Sequence, residues 1–208
     1  MRALLKILTA TLCMWLFGCV RFPQMDLRQP IYLVLDDSLF VYCKDSPIEA
    51  GICRAYISSQ IQQGAWQWSR FFAGNLPLFI VVDSSGRPAQ TINPPVEIRV
   101  QPKVCGETVQ DPVDACYIAP GYFANPAIVL TDLANLHPAL IAHELGHVLA
   151  GNVSHYNSDL PSIMQDGSLV EEVQARDVDW MCNFHAKCPV RQELDRVFGA
   201  DEVGELDY

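Results

Sequence analysis

The 208-residue sequence is poor in positive charge and lacks several patterns that would assign it to a common class. It has 14 Lys and Arg against 24 Asp and Glu, a net charge of −10, so it would repel phosphate backbones, and we expect no nucleic-acid partner. No Cys-x-x-Cys pair occurs, which argues against a zinc site made of cysteines. No internal repeat or low-complexity stretch is present. Half of the residues are hydrophobic, which is enough for one domain with its own core.

The N-terminal residues have the pattern of an export signal. Two basic residues, Arg2 and Lys6, precede an apolar run from Ile7 to Phe17. This run is too short to span a bilayer, whereas its length suits the hydrophobic part of a signal peptide. It ends in Leu-Phe-Gly-Cys19, which resembles the bacterial lipobox, in which the cysteine is lipidated. We therefore expect residues 1–18 to be a lipoprotein signal peptide, with an ordinary secretory signal as the alternative.

A lipidated Cys19 would anchor the protein to a membrane without spanning it. Residues 19–30 would then form the anchor and a short tether, because Pro23 and Pro30 discourage regular structure. Residues 31–208 would form the folded domain. The sequence accordingly predicts a lipid-anchored protein of the bacterial cell envelope, facing the periplasm or exposed on the surface.

Six cysteines remain once the signal peptide and the lipidated cysteine are set aside. An even number of cysteines in an oxidising compartment is typical of disulfides, although many pairings of six cysteines are possible. The six form three pairs that are close in the sequence, and each pair would close one short loop. The predicted disulfides are Cys43–Cys53, Cys105–Cys116 and Cys182–Cys188.

Hydrophobic periodicity predicts an α+β fold. Apolar residues at helical spacing indicate one long helix, in which Gly64 would be a soft spot, and a second helix whose first turn holds Pro138. Gly151 is a suitable stop for that second helix. The predicted helices are 52–72, a helix from Asn135 or His137 to Leu149, and 169–184. The predicted strands are 31–41 (interrupted by Asp36-Asp37), 78–82, 96–100 and 127–130. A loop-rich insertion is predicted at 102–121.

The second helix carries the residues with the clearest chemistry. His143 and His147 are four residues apart, so their imidazoles lie on one helix face and can reach a single ion. Glu144 follows the first histidine, and its carboxylate can act as general base on a metal-activated water without being a ligand. The helix is apolar on both sides of this motif, so a pair of surface histidines beside a surface glutamate is the weaker interpretation. Zinc suits these ligands, and a catalytic zinc takes three protein ligands and a water.

The segment His143–Leu149 resembles the active helix of the metzincin metallopeptidases, especially the matrixin branch. Metzincins continue with a glycine, a third histidine and a methionine turn beneath the metal. This chain offers Gly151, His155 and the Met-turn-like run Pro161–Met164. Further along, Asp177-Val178-Asp179 resembles the start of the closing helix of that family.

The resemblance implies a zincin-like catalytic domain with a mixed sheet, a long helix, an active-site helix and a C-terminal helix. It implies that Zn²⁺ is held by His143, His147 and His155, and that Met164 packs as a floor under the histidines without binding the metal. The segment 127–130 would be either the edge strand that receives a substrate peptide by strand addition or an interior strand.

The turn to the third ligand departs from the metzincin pattern. That pattern places the glycine three residues and the third histidine six residues after the second histidine. Here Gly151 comes four residues after His147, and His155 comes eight after it. His155 therefore has rivals for the third position, namely Asp159 and, as in gluzincins, Glu171 or Glu172.

Together these observations predict a membrane-tethered zinc endopeptidase that acts on a peptide or protein substrate. Glu144 would activate the water and pass its proton to the leaving amine. The alternative is a non-catalytic zinc-containing surface lipoprotein that acts in binding or adhesion. The presence of Glu144 argues against that alternative, because a zinc fold kept only for binding has no use for a general base.

Overall fold

The computed structural model describes residues 24–43, 47–72, 78–101, 114–120, 125–157, 161–165, 170–186 and 188–190. Within these ranges the chain is an α+β fold with a five-stranded mixed sheet and three α-helices. The predicted signal peptide, the lipidation site Cys19, and the residues Cys105 and Asp159 lie outside the described residues.

The sheet provides one face of the core. Its strands are β1 (Ile31–Leu35), β2 (Phe79–Asp83), β3 (Val96–Val100), β4 (Ala115–Ile118) and β5 (Ala127–Leu130), in the order β2-β1-β3-β5-β4. All neighbouring pairs are parallel except β4 with β5, whose register places Tyr117 opposite Ile128. All four residues of β5 are buried, so the segment 127–130 is an interior strand, and β4 is the edge beside it. Strand β4 was not predicted, because it lies within the segment interpreted as a loop-rich insertion.

The first predicted strand is shorter than expected. It ends at Leu35, and a 3₁₀ helix spans Asp37–Cys43 where the strand was predicted to continue. The carboxylate of Asp36 accepts a hydrogen bond from the Ser38 N–H at 2.9 Å, a local bond that competes with the extended backbone. The aspartates therefore end the strand.

Two helices pack closely against each other through glycine. Helix α1 (Pro47–Ser69) contacts helix α2 (Pro138–Ala150) at Gly64, where an added Cβ would lie 2.7 Å from both Ile141 Cβ and Pro138 O. Near this contact the indole Nε1 of Trp68 donates to Ala142 O at 2.7 Å. Gly64 was predicted to be a soft spot in α1, and in the structure its lack of a side chain lets the two helices approach.

The closing helix begins later than predicted. Helix α3 spans Ala175–Cys182, and Gln174 and Asp177 form a reciprocal capping box at its start. The residues before it are extended along α1, because Gln67 Nε2 donates to Glu171 O at 3.0 Å and Gln67 Oε1 accepts from Val173 N at 2.9 Å. These long-range bonds hold the segment out of the helix.

Within the described residues two of the predicted disulfides are present, and the third, Cys105–Cys116, involves Cys105, which lies outside them. Cys43–Cys53 has a Cα–Cα distance of 5.6 Å, and Cys182–Cys188 has one of 5.2 Å. Cys116 is also disulfide-bonded. Disulfides of this kind are typical of oxidising, extracytoplasmic compartments.

The segment just before β1 packs onto the domain. Met25 and Leu27 are buried, and the Asn93 side chain accepts from Asp26 N at 2.7 Å while donating to Asp26 O at 3.0 Å. Among the described residues, no helix has both the length and the apolar character needed to cross a membrane.

Candidate metal centre

The boundaries of α2 follow from local signals in the sequence. His137 is the N-cap and accepts from Leu140 N, and Pro138 occupies the first turn. At the other end Gly151 is left-handed, with φ 67°, and its N–H bonds His147 O at 2.9 Å. Of the two predicted N-caps, Asn135 and His137, the structure has His137, and the helix runs to Ala150, one residue beyond the predicted Leu149. The cap at Gly151 also sets the direction in which the chain leaves the helix.

His143 and His147 lie together on the inner face of α2. Their Nε2 atoms are 3.2 Å apart, and their ring centroids are 4.9 Å apart. Two nitrogens bound tetrahedrally to one zinc at about 2.0–2.1 Å are separated by roughly 3.3–3.4 Å. The pair is therefore spaced almost as two ligands of one zinc ion would be.

The longer turn still returns His155 to the first two histidines. Its ring centroid lies 5.2 Å from that of His143 and 4.9 Å from that of His147. One ligand nitrogen from each of the three lies within 4.8 Å of the others, so the group could hold a metal ion. The chain is held in place just after His155, where Tyr156 N donates to Met164 O at 2.8 Å.

A backbone carbonyl fixes the orientation of one imidazole. His143 Nδ1 lies 2.6 Å from Ile163 O, and because the carbonyl can only accept, Nδ1 carries the proton. The Nε2 lone pair then faces the other histidines. Metal-binding histidines are commonly oriented in this way, by a hydrogen bond from the ring nitrogen that does not bind the metal.

Met164 packs against α2 at Gly146. It is fully buried, and an added Cβ at Gly146 would overlap Met164 Sδ. The turn itself is fastened to α3, because Ser162 Oγ accepts from Met164 N at 3.0 Å and donates to the buried carboxyl of Asp177. Burial raises the pKa of Asp177, and the hydrogen bond from Ser162 opposes that rise.

Glu144 is buried beside the edge strand. It is only 4 % exposed, and burial raises the pKa of its carboxyl to about 8, while a backbone hydrogen bond from Tyr117 on β4 acts in the opposite direction. Its Oε2 atom is buried without a hydrogen-bond partner in the protein. A buried carboxyl oxygen without a partner is costly for stability, which is typical of a group that serves a function.

His147 is electrostatically suited to bind a metal. Burial, together with the neighbouring His143 and His155, lowers the pKa of His147 from 6.5 to about 3. The ring is therefore neutral at all physiological pH values. A neutral imidazole is the form that binds zinc, so no proton has to be displaced from this residue.

The rival third ligands are not in this cluster. Glu171 and Glu172 are exposed, and Glu172 pairs with Arg70 at 3.3 Å, just beyond the end of α1. Among the described residues, only the three histidines form a group that could hold a metal ion. Asp159 is outside those residues.

Two parts of the site were not predicted from the sequence. The first is the Tyr117 backbone on β4, for which the only signal was a short alternation of burial-prone residues in 115–118. The second is the bond between Ser162 and Asp177, which joins residues fifteen positions apart and has no local signal. No protein-family model and no curated protein matches this chain.

Proposed function

We propose that this protein is a zinc-dependent, metzincin-like endopeptidase. The observation that carries the proposal is the group of three imidazoles, two of them on the helix that also carries the buried Glu144 next to the edge of a sheet. Structural zinc sites use four protein ligands, whereas catalytic sites use three and leave one position open. Three ligands with an adjacent acid favour catalysis over a structural role.

The donor set suits zinc. His143, His147 and His155 offer three imidazole nitrogens, a set found in catalytic zinc sites. The Nε2 separation of the first two fits the tetrahedral spacing, and the exposed ring of His155 can adjust to complete it. When bound, zinc would polarise the scissile carbonyl and lower the pKa of a water molecule.

Glu144 would transfer the proton. Burial raises the pKa of this carboxyl, so its ionised form, held beside the metal, would take a proton from the attacking water readily and then donate it to the leaving amine. Burial also keeps bulk water from competing for that proton. The unpartnered Oε2 is the atom available for this role.

Strand β4 would position the substrate. It is the last strand of the sheet on the side of Glu144 and is antiparallel to β5. An extended peptide can add to such an edge through main-chain hydrogen bonds. The Tyr117 N–H, which bonds Glu144, would place the scissile bond of that peptide close to the general base.

The test is a comparison of the zinc-loaded full chain with Glu144→Gln on a library of quenched peptides. We expect the variant to bind zinc as the unaltered protein does and to lose hydrolysis, since the amide cannot accept the proton. Glu171→Gln, which changes an exposed acid in the segment that runs along α1, is the matched control and should retain full turnover. Undiminished activity in Glu144→Gln would refute the mechanism, whereas zinc binding without turnover in the unaltered protein would support the binding or adhesion role.

We propose further that the protein is lipid-anchored in the bacterial envelope. The disulfides support export, and Leu-Phe-Gly-Cys19 supports lipidation. Expression of the full chain and of Cys19→Ser, followed by membrane fractionation, tests this. The unaltered protein should be found with membranes and the variant should not. Both proteins off the membrane would indicate an ordinary secretory signal, and both on the membrane would indicate another attachment; either result would refute lipidation of Cys19.

A further inference from the structure

His185 lies outside the metal centre but contacts the helix that carries it. Its Nε2 is 2.6 Å from Leu149 O, near the C-terminal end of α2. The last carbonyls of a helix have no partner within the helix and need one from elsewhere. Leu149 is fully buried, so water is a poor substitute. Because a carbonyl can only accept, Nε2 of His185 carries the proton and donates it.

A disulfide loop holds His185 in this position. His185 follows the last turn of α3, and its backbone N–H donates to Cys182 O at 3.1 Å. Cys182 in turn forms a disulfide with Cys188. Cys182 is itself buried in the core. The disulfide therefore helps to place the His185 side chain, just beyond the end of α3, against the end of the active-site helix.

The end of α2 is also the start of the turn that supplies the third histidine. The chain leaves the helix at Gly151 and reaches His155 four residues later, through a turn in which Ser154 N donates to the Asn152 side chain at 2.9 Å. The far end of this turn is held by the bond from Tyr156 N to Met164 O. His185 fastens the near end.

We propose that His185 is a positioning residue for the metal centre. His185 donates a hydrogen bond to Leu149 O and so fixes the C-terminal end of α2, where the extended turn begins. The position of that end determines where the turn places the His155 imidazole. The Cys182–Cys188 disulfide acts through His185, which couples metal affinity to the integrity of this bond. The inference rests on the proposed zinc site, but not on peptide hydrolysis.

The test measures zinc affinity of the full chain by competition with a chromogenic chelator, at a temperature where circular dichroism shows every variant folded. We expect His185→Ala to weaken zinc binding about three- to tenfold, less than the roughly 10- to 100-fold typical of residues that bond a ligand directly. His185→Gln should restore affinity to within about twofold, because its amide nitrogen can donate from nearly the same place as Nε2. A role in stability alone would lower the melting temperature of His185→Ala and leave zinc affinity unchanged, which would overturn the proposal.

The disulfide gives a second, independent measurement should His185→Ala fail to fold. The double variant Cys182→Ser with Cys188→Ser should lose zinc affinity to the same extent as His185→Ala. The control is Cys43→Ser with Cys53→Ser, which removes a disulfide at the start of α1 and should bind zinc normally. Equal zinc affinity in the two double variants would overturn the proposal. Because zinc binding is read without substrate, absence of peptidase activity would count against the proposed function and not against this inference.

Discussion

Gly146 and Met164 are in direct contact at the centre of the site, so closely that a Cβ on the glycine would overlap Met164 Sδ. The glycine lies on α2 between the two histidines that share one face, His143 and His147. The methionine directly follows Ile163, whose backbone carbonyl orients the His143 ring. The contact therefore sets the distance between the helix and the turn on either side of the candidate metal centre.

Gly146→Ala should destabilise the protein and weaken zinc binding. The added methyl would overlap Met164 and lie 3.0 Å from the Trp68 ring, and overpacking of this kind costs about 1–3 kcal/mol. Urea unfolding and chelator competition measure the two effects. The control is Gly51→Ala on α1, where the new methyl meets nothing within 4 Å and alanine is favoured over glycine by about 1 kcal/mol. Similar behaviour of the two variants would contradict the packing argument.

Asp177→Ala should loosen the methionine turn. The change removes the acceptor for Ser162 Oγ and for Gln174 N, which is 2.7 Å from the other carboxyl oxygen. A buried polar group left without its partner costs about 1–3 kcal/mol. Thermal and urea unfolding would show the loss, and the exposed Asp37→Ala serves as control, with a change expected within about 0.5 kcal/mol. A loss no larger than that of the control would show that the turn is held by other contacts.

His155→Ala should remove zinc binding without unfolding the protein. The side chain is exposed, so the zinc-free stability should change little, whereas the ion would lose one of three ligands. Zinc affinity should fall by more than the roughly 10- to 100-fold that is lost when a residue hydrogen-bonded to a ligand is changed. Zinc should then no longer raise the melting temperature, as it does when it binds only the folded state. His137→Ala, which changes the helix-capping histidine, should keep its zinc, and normal zinc content in His155→Ala would assign the third ligand elsewhere.

Stability of the zinc-free protein should fall at acid pH, in part because of His185. Burial lowers the pKa of this ring below its ordinary 6.5, and the bond to Leu149 O offsets only part of the effect. Below pH 6.5 the unfolded chain therefore binds a proton that the folded protein does not, and the free energy of unfolding decreases until the folded pKa is reached. Well above that pH the contribution is constant.

His185→Gln isolates this contribution, since glutamine keeps a donor but does not titrate. Urea unfolding from about pH 4.5 to 8, a range that spans the titration of histidine, should give a flatter curve for the variant than for the unaltered protein. All other titrating groups are common to both proteins and cancel in the comparison. Parallel curves would mean that His185 has the same pKa in the folded and unfolded states.

Elements whose signals are local were predicted well. Strands β3 and β5 have the predicted bounds, because short β-branched runs lie between turn residues. Helix α2 has its predicted caps, because His137, Pro138 and Gly151 act on neighbouring backbone groups. Strand β4 and the start of α3 were predicted incorrectly, since pairing with β5 and the bonds to Gln67 come from residues far away in the chain.

The sequence by itself determined that His143, Glu144 and His147 lie within about one turn of a helix, because helical geometry places residues three and four apart on one face. It did not determine the third ligand, since the turn to His155 is two residues longer than the pattern it resembles. Only the tertiary structure decided that His155 returns to the pair, and that Glu144 is buried against β4. Both depend on packing between elements distant in the chain, through Tyr156 with Met164 and through Tyr117 with Glu144, which local spacing cannot encode.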